Sequence, residues 1–383
     1  MLCKSTRFAC KLRILILCIF TSLLVNAQDL PRLSLLTCSP GDELYSSYGH
    51  TAIRLVDEKR KWDIVFNYGT FNFATPNFYG KFLNGTLDYC LSVSQTSNFI
   101  HEYKRENRRV VEREFILSSS QRQDLAALLL DNAKEQNRYY RYDFFKDNCA
   151  TRVRDIVTKV ANRPIVCGTT SHEATYRDYI HNYVSTNQWA GQGIDLILGK
   201  PTDNYVDYNA KAMLPDSLEA WFIENKLVGE AQILCEQSHS TLKKSLFAYL
   251  SPLTLSCAIF ILIVAITIIE YRKHKYYKVV DVCLLTILSI LSLIFTYLWF
   301  ISEISCTSYN YNVLWASILC IPILINIACN RRNTICKWLI FTNIALIAVW
   351  IIISLLGVQF APYIGISLAL SSVVRYARIL QTF

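Results

Sequence analysis

"DNCATRVRDI", residues 147–156, is the stretch on which the reading turns. Asp147 and Asn148 are helix-capping residue types. Behind them an apolar stripe begins with Val153, Ile156, Val157 and Val160. That spacing is one face of a helix that opens at about Cys149. A helix N-terminus carries partial positive charge, which favours a thiolate over a thiol, and the thiolate is the nucleophilic form. A cysteine in this place reads either as a small buried apolar residue or as a nucleophile. The rest of the chain has to decide between the two.

The 383 residues are unevenly composed. Residues 28–245 read as a soluble domain of mixed charge with many aromatics, and residues 246–383 as apolar runs separated by short polar loops. The net charge of +9 is concentrated beside the apolar runs, where membrane topology places it, so no nucleic-acid partner is read from it. The start, "MLCKSTRFACKLR", is basic and is followed by the short apolar run "ILILCIFTSLLV" and by Val25-Asn26-Ala27. This predicts a secretory signal, residues 1–27, cleaved after Ala27, with an uncleaved anchor as the competing reading. Leu17 before Cys18 is too bulky for a lipoprotein-type processing site.

Five candidate spans follow, at about 249–269, 279–301, 312–329, 338–356 and 361–377. The positive-inside rule orients them. "YRKHKYYK", "NRRNTICK" and the tail "RYARILQTF" are basic and belong inside. "SEISCTSYNY" and "GVQFAP" carry no Lys or Arg and belong outside. All the connections agree with one orientation, which puts residues 28–245 on the exported face. The expected localisation is the inner, cytoplasmic membrane, multi-pass, with this domain in the periplasm.

The exported part holds Cys38, Cys90, Cys149, Cys167 and Cys235. The odd number leaves at least one thiol unpaired unless it pairs with Cys306 of an outer loop or with another chain. No zinc-type spacing appears, so no metal and no cofactor is expected. Neither a serine-nucleophile elbow nor a phosphate-cradling glycine loop is present. A catalytic cysteine needs a base, usually a histidine held by a third polar group. Of the exported histidines, His101, His172, His181 and His239 read as solvated surface. His50 stands in "SSYGHTAIRL", a strand with one well-buried face, followed by the polar turn "VDEKRKW" and the strand "DIVFNYGTFNF". A hairpin turning near residues 59 and 60 sets His50 roughly opposite Asn67 to Gly69, so Asn67 is the candidate to hold the tautomer of the His50 ring.

A histidine on an early strand, a polar residue on the next strand and a cysteine opening a later helix resemble the circularly permuted NlpC-like papain fold. That group includes lecithin retinol acyltransferase and its phospholipid-acyltransferase relatives. More specifically, "LTCSPGDELYSSYGHTAIRL", "VFNYGTFNFATPNF", "YRYDFFKDNCATRVRDIV" and "GIDLILGKPTDN" are similar to the exported domain of the Bacteroides-type lipoprotein N-acyltransferase family. Members of that family carry a multi-span membrane domain behind the exported one. The expected fold is therefore an α+β exported domain, circularly permuted papain-like, followed by an all-α membrane domain of about five transmembrane helices.

The resemblance implies acyl transfer through a thioester on Cys149, with His50 as general base and then acid, and Asn67 orienting it. The partners it implies are a phospholipid acyl donor, a diacylated lipoprotein acceptor and the membrane. A membrane-anchored NlpC-like cell-wall amidase or peptidase is the alternative, and a binding module with a structural cysteine a third reading. The aromatic run "NRYYRYDFFKDN" reads mainly as core, with Tyr142, Phe144 and Phe145 as candidate acyl-chain contacts. In "LPDSLEAWFIENKL", Asp216 and Glu219 predict a capping box before a helix that packs through Leu218, Trp221 and Phe222.

Overall fold

The computed structural model describes residues 30–164, 174–184, 188–237 and 251–383. The signal segment, Cys167, His172 and His239 lie outside these residues. The exported part runs β1 (Arg32–Cys38), β2 (His50–Asp57), β3 (Trp62–Thr70), α1 (Phe78–Asn84), β4 (Asp88–Gln95), α2 (Thr96–Arg105), β5 (Val110–Phe115), α3 (Ser119–Asn132), β6 (Tyr139–Arg141), α4 (Cys149–Ala161), α5 (Tyr176–Val184), α6 (Gln188–Ile197), α7 (Pro215–Glu224) and β7 (Val228–Cys235). The strands form one antiparallel sheet in the order β6-β4-β3-β2-β1-β5-β7.

Alternate side chains of a strand face opposite ways, and here both faces are used. Leu33, Leu35, Ile53, Leu55, Phe66 and Tyr68 meet α3, α4 and α7 on one side. Leu36, Cys38, Ala52 and Val65 meet Phe99 and Tyr103 of α2 on the other. β2 was expected to bury one face well, but Thr51, Ala52 and Ile53 are all fully buried because helices cover both sides. Leu218, Trp221 and Phe222 of α7 pack inward as the pattern implied. The capping box before them does not form. Pro215 takes the first helical position, so Leu214 is the N-cap and no side chain caps the helix. Asp216 accepts instead from the Tyr183 hydroxyl at 3.3 Å, and Glu219 pairs with Arg113.

The membrane part contains α8 (Pro252–Lys273), α9 (Lys278–Phe300), α10 (Cys320–Ala328), α11 (Thr334–Leu355) and α12 (Tyr363–Leu380). Four of these, with 22, 23, 22 and 18 residues, are long and apolar enough to cross a membrane, given about 1.5 Å per residue and a core of about 30 Å. The segment read as a third span, 312–329, departs from that expectation. It is a turn of 3₁₀ helix, Tyr311–Leu314, and then the nine residues of α10. Pro322 lies in the first turn of α10 and has no N–H to carry a helix through from the preceding residues. Side chains satisfy polar groups in and around the break. The Trp315 indole donates to Asn312 Oδ1 at 2.9 Å, Tyr311 N to Gln359 Oε1 at 2.8 Å and Asn343 Nδ2 to Ser317 Oγ at 3.1 Å.

At the other end of the bundle, Arg375 of α12 is clamped between Glu270 of α8 at 2.8 Å and Asp281 of α9 at 2.6 Å. All three side chains are buried. Arg375 is thus an internal tie between three helices and not a free charge of the tail.

The outer loop between α9 and α10 is where the two parts meet. Gly199 N donates to Cys306 O at 2.9 Å, Glu303 N to Asn84 O at 2.8 Å, and Asn310 Nδ2 to Leu196 O at 2.8 Å. The loop expected outside therefore stands on the same side as the sheet. His181, read as surface, belongs to this joint. Its ring lies 2.9 Å from Asp195, which Arg177 also holds at 2.7 Å.

Candidate active site

The helix opening at Cys149 is built as its sequence requires. Asn148 Oδ1 accepts from Ala150 N at 2.8 Å and Thr151 N at 2.9 Å, and Thr151 Oγ1 accepts from Asn148 N at 2.8 Å. These bonds meet N–H groups that have no partner inside the helix. Asn148 Nδ2 donates to the carbonyls of Phe144 and Met213, so the cap is also fastened to the loops on either side. Asp147 does not cap. It takes a bidentate pair from Arg152, whose guanidinium stacks on Tyr140 at 3.5 Å. Val153, Ile156, Val157 and Val160 all face the core.

The sheet opens a gap for the thiol. The β2–β3 ladder runs from Asp57↔Trp62 to Ile53↔Phe66 and stops there. The β3–β4 register slips between Asn67 and Thr70, where Gly69 takes φ +87°. Only glycine adopts that conformation without cost. Cys149 sits against this irregularity: a Cβ on Gly69 would lie 3.5 Å from the Cβ of Cys149 and 3.7 Å from the Tyr142 ring. The backbone N–H groups of Thr51, Ala150 and Cys149 itself lie near enough to the sulfur to favour its thiolate.

His50, the neighbour of Thr51, opens β2 across from Cys38. Its Nε2 lies 3.3 Å from Asn67 Oδ1. An amide oxygen only accepts, so Nε2 carries the hydrogen and Nδ1 keeps the lone pair. The hairpin register thus brings together the two residues that the sequence set opposite each other. No hydrogen bond joins the Cys149 sulfur to the His50 ring in this resting arrangement. They meet as neighbours through Thr51.

Burial dominates the electrostatics. It pushes the His50 pKa down to about 4, helped by the positive charge of Arg108 and opposed by the Asn67 bond. Burial also pushes the Cys149 thiol up, against the three N–H groups that favour the thiolate. The helix-end argument taken alone predicts a thiolate. In the structure desolvation outweighs it, which favours the neutral thiol at Cys149 and the neutral imidazole at His50.

Of the aromatic candidates, Tyr142 stands at the gap, stacked on Tyr89 with centroids 4.4 Å apart. Phe144 and Phe145 turn away into a cluster with Tyr48, Tyr176 and Cys306 under the outer loop. Arg108 was not singled out in the sequence, where "KRENRRV" looks like a solvated basic run. It is buried, lies over Tyr103 at 4.5 Å and donates to Ser39 O at 2.9 Å. The backbone N–H of Thr51 carries no side-chain signal at all. Cys38, Cys90, Cys149, Cys235 and Cys306 are all free thiols.

Residues 25–185 match the model of the Lnb N-terminal periplasmic domain, and residues 243–382 match that of the Lnb transmembrane domain. The chain belongs to the Bacteroides-type lipoprotein N-acyltransferase (Lnb) family. No match was found among curated proteins, and none among solved structures. Lnb membership makes this a membrane protein with a periplasmic domain, in a family concerned with lipoprotein modification. The Lnb periplasmic match ends before α6, yet the sheet continues to β7, which pairs with β5.

Proposed function

We propose that this protein is a lipoprotein N-acyltransferase of the inner membrane, working through a thioester on Cys149. One observation carries the reading: a half-buried thiol at a capped helix start lies in a strand gap next to the start of β2, where the His50 ring is held by Asn67. The order of histidine before cysteine, on an antiparallel sheet, supports the permuted papain-like description. The exported unit spans 28–245 and the membrane unit 246–383, behind a signal cleaved after Ala27.

In the first half-reaction His50 Nδ1 takes the proton of Cys149, and the sulfur attacks the carbonyl carbon of an ester donor. Backbone N–H groups at the helix start are at hand for the oxygen of the tetrahedral intermediate. The ester C–O bond then breaks, and the departing alkoxide takes the proton from His50. In the second half-reaction the N-terminal amine of a diacylglyceryl-cysteine lipoprotein attacks the thioester. His50 accepts the ammonium proton and returns it to the leaving thiolate, giving the amide and free Cys149. The donor is a phospholipid or an ester of the lipoprotein's own glyceryl group. A resting pair that is neutral suits a base that takes the proton during attack and is not already charged.

The test is mass spectrometry of lipoprotein N-termini in cells carrying each variant as their only copy. Cys149→Ser and His50→Ala are expected to abolish the N-acyl form while the protein stays folded in the membrane. Full N-acylation by Cys149→Ser overturns the thioester mechanism. A wild type that cleaves wall peptides and leaves lipoproteins unmodified installs the amidase reading in its place.

A further inference from the structure

α1 is a short helix with its apolar side uncovered: Tyr79, Phe82 and Leu83 are 75%, 48% and 53% exposed. Its position explains the exposure. Ser302 Oγ donates to Leu83 O at 2.9 Å, Glu303 N to Asn84 O at 2.8 Å, and the Tyr297 hydroxyl lies 3.4 Å from Asn84 Oδ1. Ser302 and Glu303 directly follow the outer end of α9, and Tyr297 lies one turn inside it. Gly85, at φ +72°, lets the chain come so close that a built Cβ would stand 2.9 Å from the backbone of Ile304. α1 is therefore pinned at the level where a membrane-crossing helix leaves the hydrocarbon. Phe300 and Ile301, at the end of α9 and its cap just before Ser302, are exposed as well.

A string of rings leads from that helix to the nucleophile. Phe78, on the inner side of α1, contacts Phe71 at 5.7 Å; Phe71 contacts Tyr89 at 5.3 Å; Tyr89 stacks on Tyr142 at 4.4 Å. Tyr142 stands at Gly69, against Cys149. Phe78 is buried, and Phe71, Tyr89 and Tyr142 are partly buried along this path. Aromatic rings with a polar tip suit a lipid–water boundary, and their faces suit a methylene chain.

We propose that α1 dips into the outer boundary of the membrane, and that Phe78, Phe71, Tyr89 and Tyr142 form the wall along which an acyl chain of a glycerophospholipid lies, its ester carbonyl delivered to Cys149. This rests on the acyltransfer reading for the chemistry, but the seat itself is a claim about lipid contact and is tested apart from turnover. A soluble peptide is the alternative occupant.

The full-length protein is reconstituted in phosphatidylethanolamine/phosphatidylglycerol vesicles containing a phospholipid with a diazirine near the end of one acyl chain. After irradiation the labelled residues are mapped by mass spectrometry. N-acylation of a diacylated lipopeptide and alkylation of Cys149 by iodoacetamide are followed in parallel. Label is expected on residues 71–83 and on Tyr89. The double substitution Phe82→Glu, Leu83→Glu changes only exposed positions. It is expected to remove most of that label and to slow transfer at least about tenfold, with Cys149 alkylation unchanged. Phe71→Ala is expected to raise KM for long-chain donors more than for short ones. Transfer by wild type without label on α1, or a glutamate pair that labels and transfers like wild type, overturns the seat. Label on α1 with no transfer by wild type supports the seat and sinks the transferase reading.

Discussion

Asn148 offers the sharpest test of how the nucleophile is held. It is 3% exposed and makes four hydrogen bonds through its amide. Asn148→Ala removes the acceptor for two N–H groups at the start of α4, at a cost of about 1 kcal/mol for a lost N-cap. It also strips the carbonyls of Phe144 and Met213 of a buried donor, at about 1 kcal/mol each. The sum is a loss of about 3 kcal/mol. Asn148→Ser keeps a capping oxygen and loses only the two donations, so it is expected to cost about 2 kcal/mol. Chemical unfolding of the full-length protein in detergent micelles measures both. Alkylation of Cys149 should slow in the alanine variant, because a frayed helix start no longer holds in place the backbone N–H groups that favour the thiolate. An alanine variant within about 0.5 kcal/mol of wild type refutes the argument. So does a serine variant that is no better than alanine.

Asn67→Ala should lower N-acylation about tenfold and His50→Ala at least about a hundredfold, read from initial rates on a lipopeptide; equal losses would remove the distinction between orienting residue and base. His50 has a folded pKa of about 4, below the ordinary value near 6.5, so the unfolded chain binds the extra proton between those values. Stability is therefore full above about pH 6.5 and falls as the pH drops towards 4, by at most about 3 kcal/mol and less for a ring that keeps some exposure. His50→Gln should flatten that slope, as unfolding curves at pH 7 and 4.5 will report. Gly199→Ala drives a Cβ into the Ser308 carbonyl oxygen, and should cost about 2 kcal/mol or more by forcing the outer loop away. Arg375→Met leaves Asp281 buried without its cation and Glu270 with Arg378 alone, and should cost about 3–5 kcal/mol, seen as a lower midpoint in detergent.

Those parts of the site that follow from local rules were legible in the sequence. Asn148 before an apolar stripe places Cys149 on the first turn, because capping and helical spacing act over four residues. His50 and Asn67 meet because a hairpin's register follows from its turn. Legibility ended where distant groups decide. The net rise of the Cys149 pKa comes from what surrounds the helix end. The helix beginning at Pro215 shows a local rule beaten by another: proline at the first helical position sets the start one residue before Asp216 could cap it. Hydropathy reads 312–329 as a span because it weighs side chains singly. It cannot see Pro322 interrupting the ladder, nor Gln359 and Asn343 arriving from other segments to satisfy the break. Tyr142 and Phe145 look alike in sequence, yet only the strand-like stretch ending at Arg141 points its successor towards the gap.

The broken segment that begins at Tyr311 has a consequence for biogenesis. The carbonyl of Leu196, at the end of α6, receives both Asn310 and Asn312. That acceptor belongs to a part of the chain made more than a hundred residues earlier and already delivered across the membrane. A segment so polar on its outer half has little reason to leave the translocation channel sideways as a finished helix. Asn310 and Asn312 gain that partner only once α6 is in place above them. The exported domain is thus one of the surfaces against which this part of the membrane bundle is set, through a single carbonyl of α6.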